Sequence, residues 1–217
     1  MKINSNIMKA KKLHFILYIL FFQLIFVACN TGNSKHDDFD YGTVDKGIYN
    51  NSYFRFSVKV PADWNTLTQE QNQNLMNKNT LGSNDPSKIT TVILLTASQF
   101  EPGKTDSTFN SNMIILAENI KGNTRIRNGS DYLRLTRQAL EKEPIIRQYP
   151  DSNAPVMKIK GSDFSTMEVT TTDGNKTYSQ KYYTILVNDF ALTAILTYAT
   201  EDERIVLENA FSTINFK

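Results

Sequence analysis

Histidine and cysteine are almost absent from this 217-residue chain: there is one cysteine, Cys29, and two histidines, His14 and His36. Everything beyond residue 36 therefore lacks the side chains on which Ser-His-Asp and Cys-His nucleophilic sites and the usual zinc centres depend. A lone cysteine also excludes any internal disulfide. Glycine-rich phosphate loops of the Walker or dinucleotide kind are missing, and so is any internal repeat. Charge of one sign is scarce too, with 24 Lys and Arg against 22 Asp and Glu. Lys2, Lys9, Lys11 and Lys12 precede Cys29 and no acid does, so the chain from Cys29 onward carries 20 basic against 22 acidic side chains, a formal charge of −2. That leaves no electrostatic footprint for nucleic acid, whose binders commonly show a pI above about 9.

What is present begins with a targeting signal. The four lysines lead into an apolar run over residues 15–27, broken only by Gln23, and then into Ala28-Cys29. Basic end, short apolar middle and small residue at the cut form the order of a secretory signal. At 13 residues the run is shorter than the ~20 that span a bilayer. Phe26-Val27-Ala28-Cys29 resembles the bacterial lipobox, with Phe where Leu is more usual. The resemblance implies a diacylglyceryl group on Cys29, cleavage before it, and palmitate labelling. The expected organisation is a removed signal peptide over residues 1–28, a disordered polar tether over 29–46, and one globular domain over 47–217. Asn30 rather than Asp follows the cysteine, so an inner-membrane retention mark is absent. The expectation is an exported protein anchored by lipid, on the outer membrane if the cell has two.

The domain alternates strand and helix patterns. Residues 53–60 place Phe54, Phe56, Val58 and Val60 on one face, and Pro61 ends that strand. Thr68 and Gln71 form a capping box for a short helix through Leu75 and Met76, whose Gln/Asn-rich residues 69–74 read as a solvated face. Residues 91–97 and 113–120 read as buried strands. The connection over 98–112, with Pro102 and Gly103, is long enough to suggest a contact surface. Ser130 and Asp131 open a helix whose Tyr132, Leu135, Ala139 and Leu140 recur at helical spacing, and Glu143-Pro144 ends it. Residues 156–160, 164–171, 177–187 and 190–199 form an antiparallel meander with turns at Asp173-Gly174 and Asn188-Asp189. Thr200 and Glu203 cap a closing helix that presents Val206, Leu207, Ala210, Phe211 and Ile214 on one face.

This order is that of an α+β fold. Tyr49, Asn50, Tyr53, Phe54, Phe56, Val60, Pro61 and Trp64 resemble the opening of PsbP-like domains. Tyr182-Tyr183, the strand from Phe190 to Tyr198 and the last helix resemble their close. The resemblance covers about residues 47–217 and implies an α/β/α sandwich, a largely antiparallel sheet covered by helices on both faces, used as a binding or assembly module. It brings no catalytic residue with it. Trp64 and the opening aromatics read as core.

One group of residues leans toward binding. Lys121, Arg125, Arg127, Arg134 and Arg137 fall within 17 positions, and arginine suits bidentate contacts with carboxylates or phosphates. Solvated faces of a strand end and a helix are the plainer account of the same residues. Asp173-Gly174-Asn175 lacks the spacing of a calcium loop and reads as a turn. The chain is thus expected to be a non-catalytic binding or assembly module in the cell envelope, no enzyme, with no cofactor, an envelope protein as partner, and contact with the membrane through lipid on Cys29. Two alternatives stand beside it: a carrier of a small apolar or lipid ligand, and a hydrolase that uses carboxylates alone.

Overall fold

The computed structural model describes residues 38–76, 85–101, 109–151 and 154–217. The signal segment, Cys29, residues 29–37 of the tether and the middle of the 98–112 connection lie outside these. Residues 38–46, read from the sequence as tether, belong to the fold. Phe39 is only 3% exposed, with its ring 4.9–5.9 Å from those of Tyr41, Tyr53, Phe54 and Phe190. One aromatic in a charged run leaves no periodic signal, although four rings elsewhere form its socket.

Two antiparallel sheets follow. The smaller holds β1 (Thr43–Asp45), β2 (Ile48–Asn51), β3 (Phe56–Lys59) and β12 (Asn215–Phe216), in the order β1-β2-β3-β12. The expected strand over 53–60 is shorter than the alternation suggests. Asn51 Oδ1 accepts the Phe54 N–H at 2.8 Å and Arg55 takes a φ of +55°, which turns the chain before β3. Phe54, Phe56 and Val58 nevertheless keep one buried face.

The larger sheet holds β4 (Asn65–Thr66), β5 (Thr91–Ser98), β6 (Asn112–Asn119), β7 (Ile146–Gln148), β8 (Val156–Ile159), β9 (Ser162–Asp173), β10 (Lys176–Val187) and β11 (Phe190–Tyr198). Its order is β4-β5-β6-β11-β10-β9-β7, with β8 also on β9. The expected meander is therefore β8-β9-β10-β11. Gly174 turns one hairpin at φ +61°, and Asn188 and Asp189 turn the next at +51° and +64°, the paired left-handed geometry of tight hairpins.

Three α-helices, α1 (Gln69–Leu75), α2 (Gly129–Leu140) and α3 (Glu201–Phe211), and one 3-10 turn, Pro86–Lys88, complete the described residues. Both capping boxes form as the sequence indicates: Thr68 with Gln71 on α1, and Thr200 with Glu203 on α3. Asn72 on α1 is buried while Leu75 is 58% exposed, so the polar stretch is not wholly a solvated face. On α2 the sheet receives Gly129, Tyr132 and Leu133, and Ala139 is exposed. On α3, Leu207, Ala210 and Phe211 are buried, followed by Ile214, but Val206 is 44% exposed because it stands a quarter-turn away from them. Trp64 is half-buried at the rim of the core rather than inside it.

The core divides at β11. Phe190, Leu192, Ala194 and Leu196 join a cluster with Phe54, Leu207 and Phe211, whereas Ala191 joins another with Tyr132, Leu133, Met167 and Val169. The fold is α+β and mainly antiparallel.

Candidate functional site

The groove beside α2 is set by how closely that helix can approach the sheet. Asn128 Oδ1 accepts the Asp131 N–H at 2.9 Å and caps the first turn. Gly129 then meets the sheet with no side chain; a Cβ there would stand 2.8 Å from the Thr184 carbonyl oxygen and 2.9 Å from Ser165 Oγ. Ser130 Oγ lies 2.9 Å from Ser165 Oγ and fixes the same contact. Between the outer side of α2 and the chain at Asp151 and Ala154 runs an open groove of roughly 540 Å³, lined by Ser130, Leu133, Arg134, Arg137 and Met167 among others.

Two of the five basic residues singled out in the sequence, Arg134 and Arg137, lie on this helix, and Arg127 precedes its cap. Arg127 Nε and Arg134 Nη2 each stand 3.5 Å from Asp131, and the Arg127 N–H donates to the same carboxylate at 3.1 Å. That backbone hydrogen bond, followed by the Arg127 charge, holds the Asp131 carboxyl below the usual carboxylate range. Arg137 donates to Glu141 at 2.8 Å and lies 4.3 Å over the Tyr149 ring, a cation–π contact that presets its direction.

Lys121 and Arg125 are elsewhere. They sit on the 120–128 connection, where Asn119 and Asn123 side chains accept their backbone N–H groups at 3.0 and 3.2 Å. Their own side chains are exposed and make no ion pair among the described residues. An open cleft of roughly 410 Å³ adjoins them, lined by Ile120, Ile126, Leu186 and Asn188. The single basic cluster of the sequence is thus two places in space.

Sequence reasoning missed Arg147, which lies under the end of α2 with a side chain only 9% exposed. Its Nη1 donates to the Leu140 carbonyl at 2.8 Å and closes the helix end; its Nη2 meets Glu143 at 2.6 Å. Arg147 Nε, Tyr149 Oη and Thr171 Oγ1 are buried and without a hydrogen-bond partner among the described residues. Burial, then the Glu141 charge, pushes the Tyr149 phenol up. The sequence hint was slight, an arginine directly after Ile145-Ile146 and two positions before Tyr149.

A second polar centre lies beneath α3. Lys181 Nζ meets Glu208 at 2.8 Å, Arg204 Nη1 meets the same carboxylate at 2.5 Å, and the Tyr183 hydroxyl donates to it at 3.4 Å. Tyr198 donates to Glu168 at 3.0 Å. Burial, reinforced by these carboxylates, holds both phenols well above their ordinary value. Glu208 thus ties α3 to β10 through Lys181 and Tyr183, while Glu168 and Tyr198 join β9 to β11. Among the described residues no group of three or more His, Cys, Asp or Glu is placed to hold a metal. No helix among them is long and apolar enough to cross a membrane.

No family model and no curated protein matches the chain. Solved structures with similar folds include the solution structure of cyanobacterial PsbP (CyanoP) from Synechocystis, with TM-score 0.43 and 11% identity over 87% of this chain and 98% of that one. LpqN, involved in cell envelope biogenesis of Mycobacterium tuberculosis, shows 0.40 and 15% over 73% and 78%. A crystal structure from Bacteroides thetaiotaomicron shows 0.42 and 11% over 80% of this chain and 49% of that one, about half its length. A solved PsbP is thus one of the structures to which the chain shows some similarity. At these identities no functional residue passes from them to this chain.

Proposed function

We propose that the chain is a non-catalytic binding module of the bacterial cell envelope, exported and held to a membrane by lipid on Cys29, and that the α2 groove receives an acidic segment of an envelope protein. In the layering this reading uses, α2 covers one face of the larger sheet, and α3 with the smaller sheet covers the other. The two clusters meeting at alternate residues of β11 support that arrangement.

The observation that carries the reading is the state of the groove arginines. Arg134 is 54% exposed and stands 3.5 Å from Asp131, a carboxylate that the Arg127 side chain and N–H hold without it. Arg134 therefore exchanges it readily for a partner's carboxylate, and Arg137 is already aimed by Tyr149 and Glu141. A carrier of apolar ligands finds less support. The small cavity lined by Tyr41, Ile89 and Val92 holds about 20 Å³, near the size of one water, and the two larger clefts are open rather than enclosed.

The test is capture from detergent-solubilised envelopes with the natural protein and with Arg134→Glu/Arg137→Glu. One protein recovered by the natural chain and lost with the variant, at equal thermal stability, is the expected result. Equal recovery by both, or none by either, contradicts the reading.

A further inference from the structure

The described residues begin at Asp38, at an end of the molecule that bears exposed cations. Phe39 stacks on Phe190 at the start of β11, and the Asn188 side chain donates to the Tyr53 carbonyl at 3.0 Å, so the chain enters beside the 188–189 hairpin. The Ile120 N–H donates to the Asp189 carbonyl at 2.9 Å, which fastens the 120–128 connection to the same hairpin. Lys121 and Arg125 therefore project from the end at which the chain enters, and exposed Arg55 stands next to Phe54 on that end as well. None of the three has an ion-pair partner among the described residues. The exposed acids there are Asp38 and Asp189.

Only eight residues separate Cys29 from Asp38. The covalent reach of a stretch of that length is at most about 30 Å. An anchor at Cys29 thus keeps the 120–128 connection within a few Debye lengths of the bilayer, the Debye length being about 8 Å at physiological ionic strength. At so short a tether even a weak surface attraction is populated, because the second contact is intramolecular.

We propose that the end of the domain formed by the 120–128 connection and the 188–189 hairpin docks on an anionic lipid surface, with Lys121 and Arg125 on the headgroups and half-buried Ile120 and Ile126 beneath them. This rests on the lipid-anchor reading. Each basic side chain near an anionic surface strengthens partition by roughly fivefold, so the pair is worth about twenty-five-fold.

Because Cys29 is the only cysteine, the test can supply the anchor chemically. The chain from Cys29 onward is coupled through that thiol to a maleimide lipid in vesicles of phosphatidylcholine, alone or with one third phosphatidylglycerol. Amide hydrogen exchange is then read for residues 120–127, with the 173–176 hairpin at the opposite end of the strands as reference. Slower exchange at 120–127 on the anionic vesicles only is expected, reversed by 1 M salt and by Lys121→Gln/Arg125→Gln. The bonds that shape the loop are made by backbone N–H groups, so the variant keeps its conformation. Equal exchange on both vesicles, or protection at 173–176 instead, overturns the proposal. Acylation of Cys29 in cells is read separately by intact mass, so a failed anchor and a failed docking surface give different results.

Discussion

Single residues at the edges of the domain carry more of its integrity than their place in the chain suggests. Phe39 is the clearest: Phe39→Ala empties a socket of four rings and is expected to cost about 3–5 kcal/mol in denaturant unfolding. A loss below 1 kcal/mol would mean that the segment does not pack as described. Its neighbour Asp40 accepts the Ser52 N–H at 2.6 Å, the Ser52 hydroxyl at 2.7 Å and the Gly42 N–H at 2.8 Å. Burial raises its pKa and these bonds outweigh that, so the carboxyl sits below its ordinary value of 3.8. A depressed carboxylate contributes stability that is complete above 3.8 and is lost as pH falls below it. Protection of the amides of residues 38–42, taken relative to their intrinsic exchange rates at each pH, should fall in that acid range in the natural protein, and Asp40→Asn should flatten the dependence. At Gly129 the added Cβ meets backbone and side-chain oxygens under 3.0 Å away. Gly129→Ala should therefore destabilise by about 1–3 kcal/mol even though alanine is the better helix former. A variant as stable as the parent would show that α2 can lift without cost.

At the scale of elements the two capping boxes make the sharpest forecast. Thr200 Oγ1 accepts the Glu203 N–H and Glu203 accepts those of Ala199 and Thr200, so Thr200→Ala should cost about 1 kcal/mol by thermal or denaturant melts. Helix starts of this kind were legible in the sequence because the signal is local, three residues with two reciprocal bonds. So was the meander, where β-branched runs, Gly174 and Asn188-Asp189 agree with each other. The small sheet was not legible: β1, β2 and β12 have 2–4 residues each, too few for a period, and β12 reaches β3 from the far end of the chain. Val206 and Ala139 were placed inward because an apolar residue beside a helical stripe looks like part of it. Leu133 shows the converse, a core residue left out because it sits one step off the chosen spacing. The candidate site was half visible. Its arginines were, but nothing in the sequence separates Lys121 and Arg125 from Arg134 and Arg137, and the burial of Arg147 depends on where β7 meets β9.

For the whole molecule, the arrangement of parts agrees with a division of labour. Chain entry, Lys121, Arg125 and the 188–189 hairpin share one end; α2 carries a groove whose arginines are Arg134 and Arg137; Glu208 is committed to holding α3 on the sheet. All of it depends on what Cys29 becomes. Metabolic labelling with a palmitate analogue, comparing the natural protein with Cys29→Ser and following both through membrane fractionation, asks this directly. The account predicts label and membrane association for the natural chain and loss of both in the variant. Equal labelling of the two would contradict it.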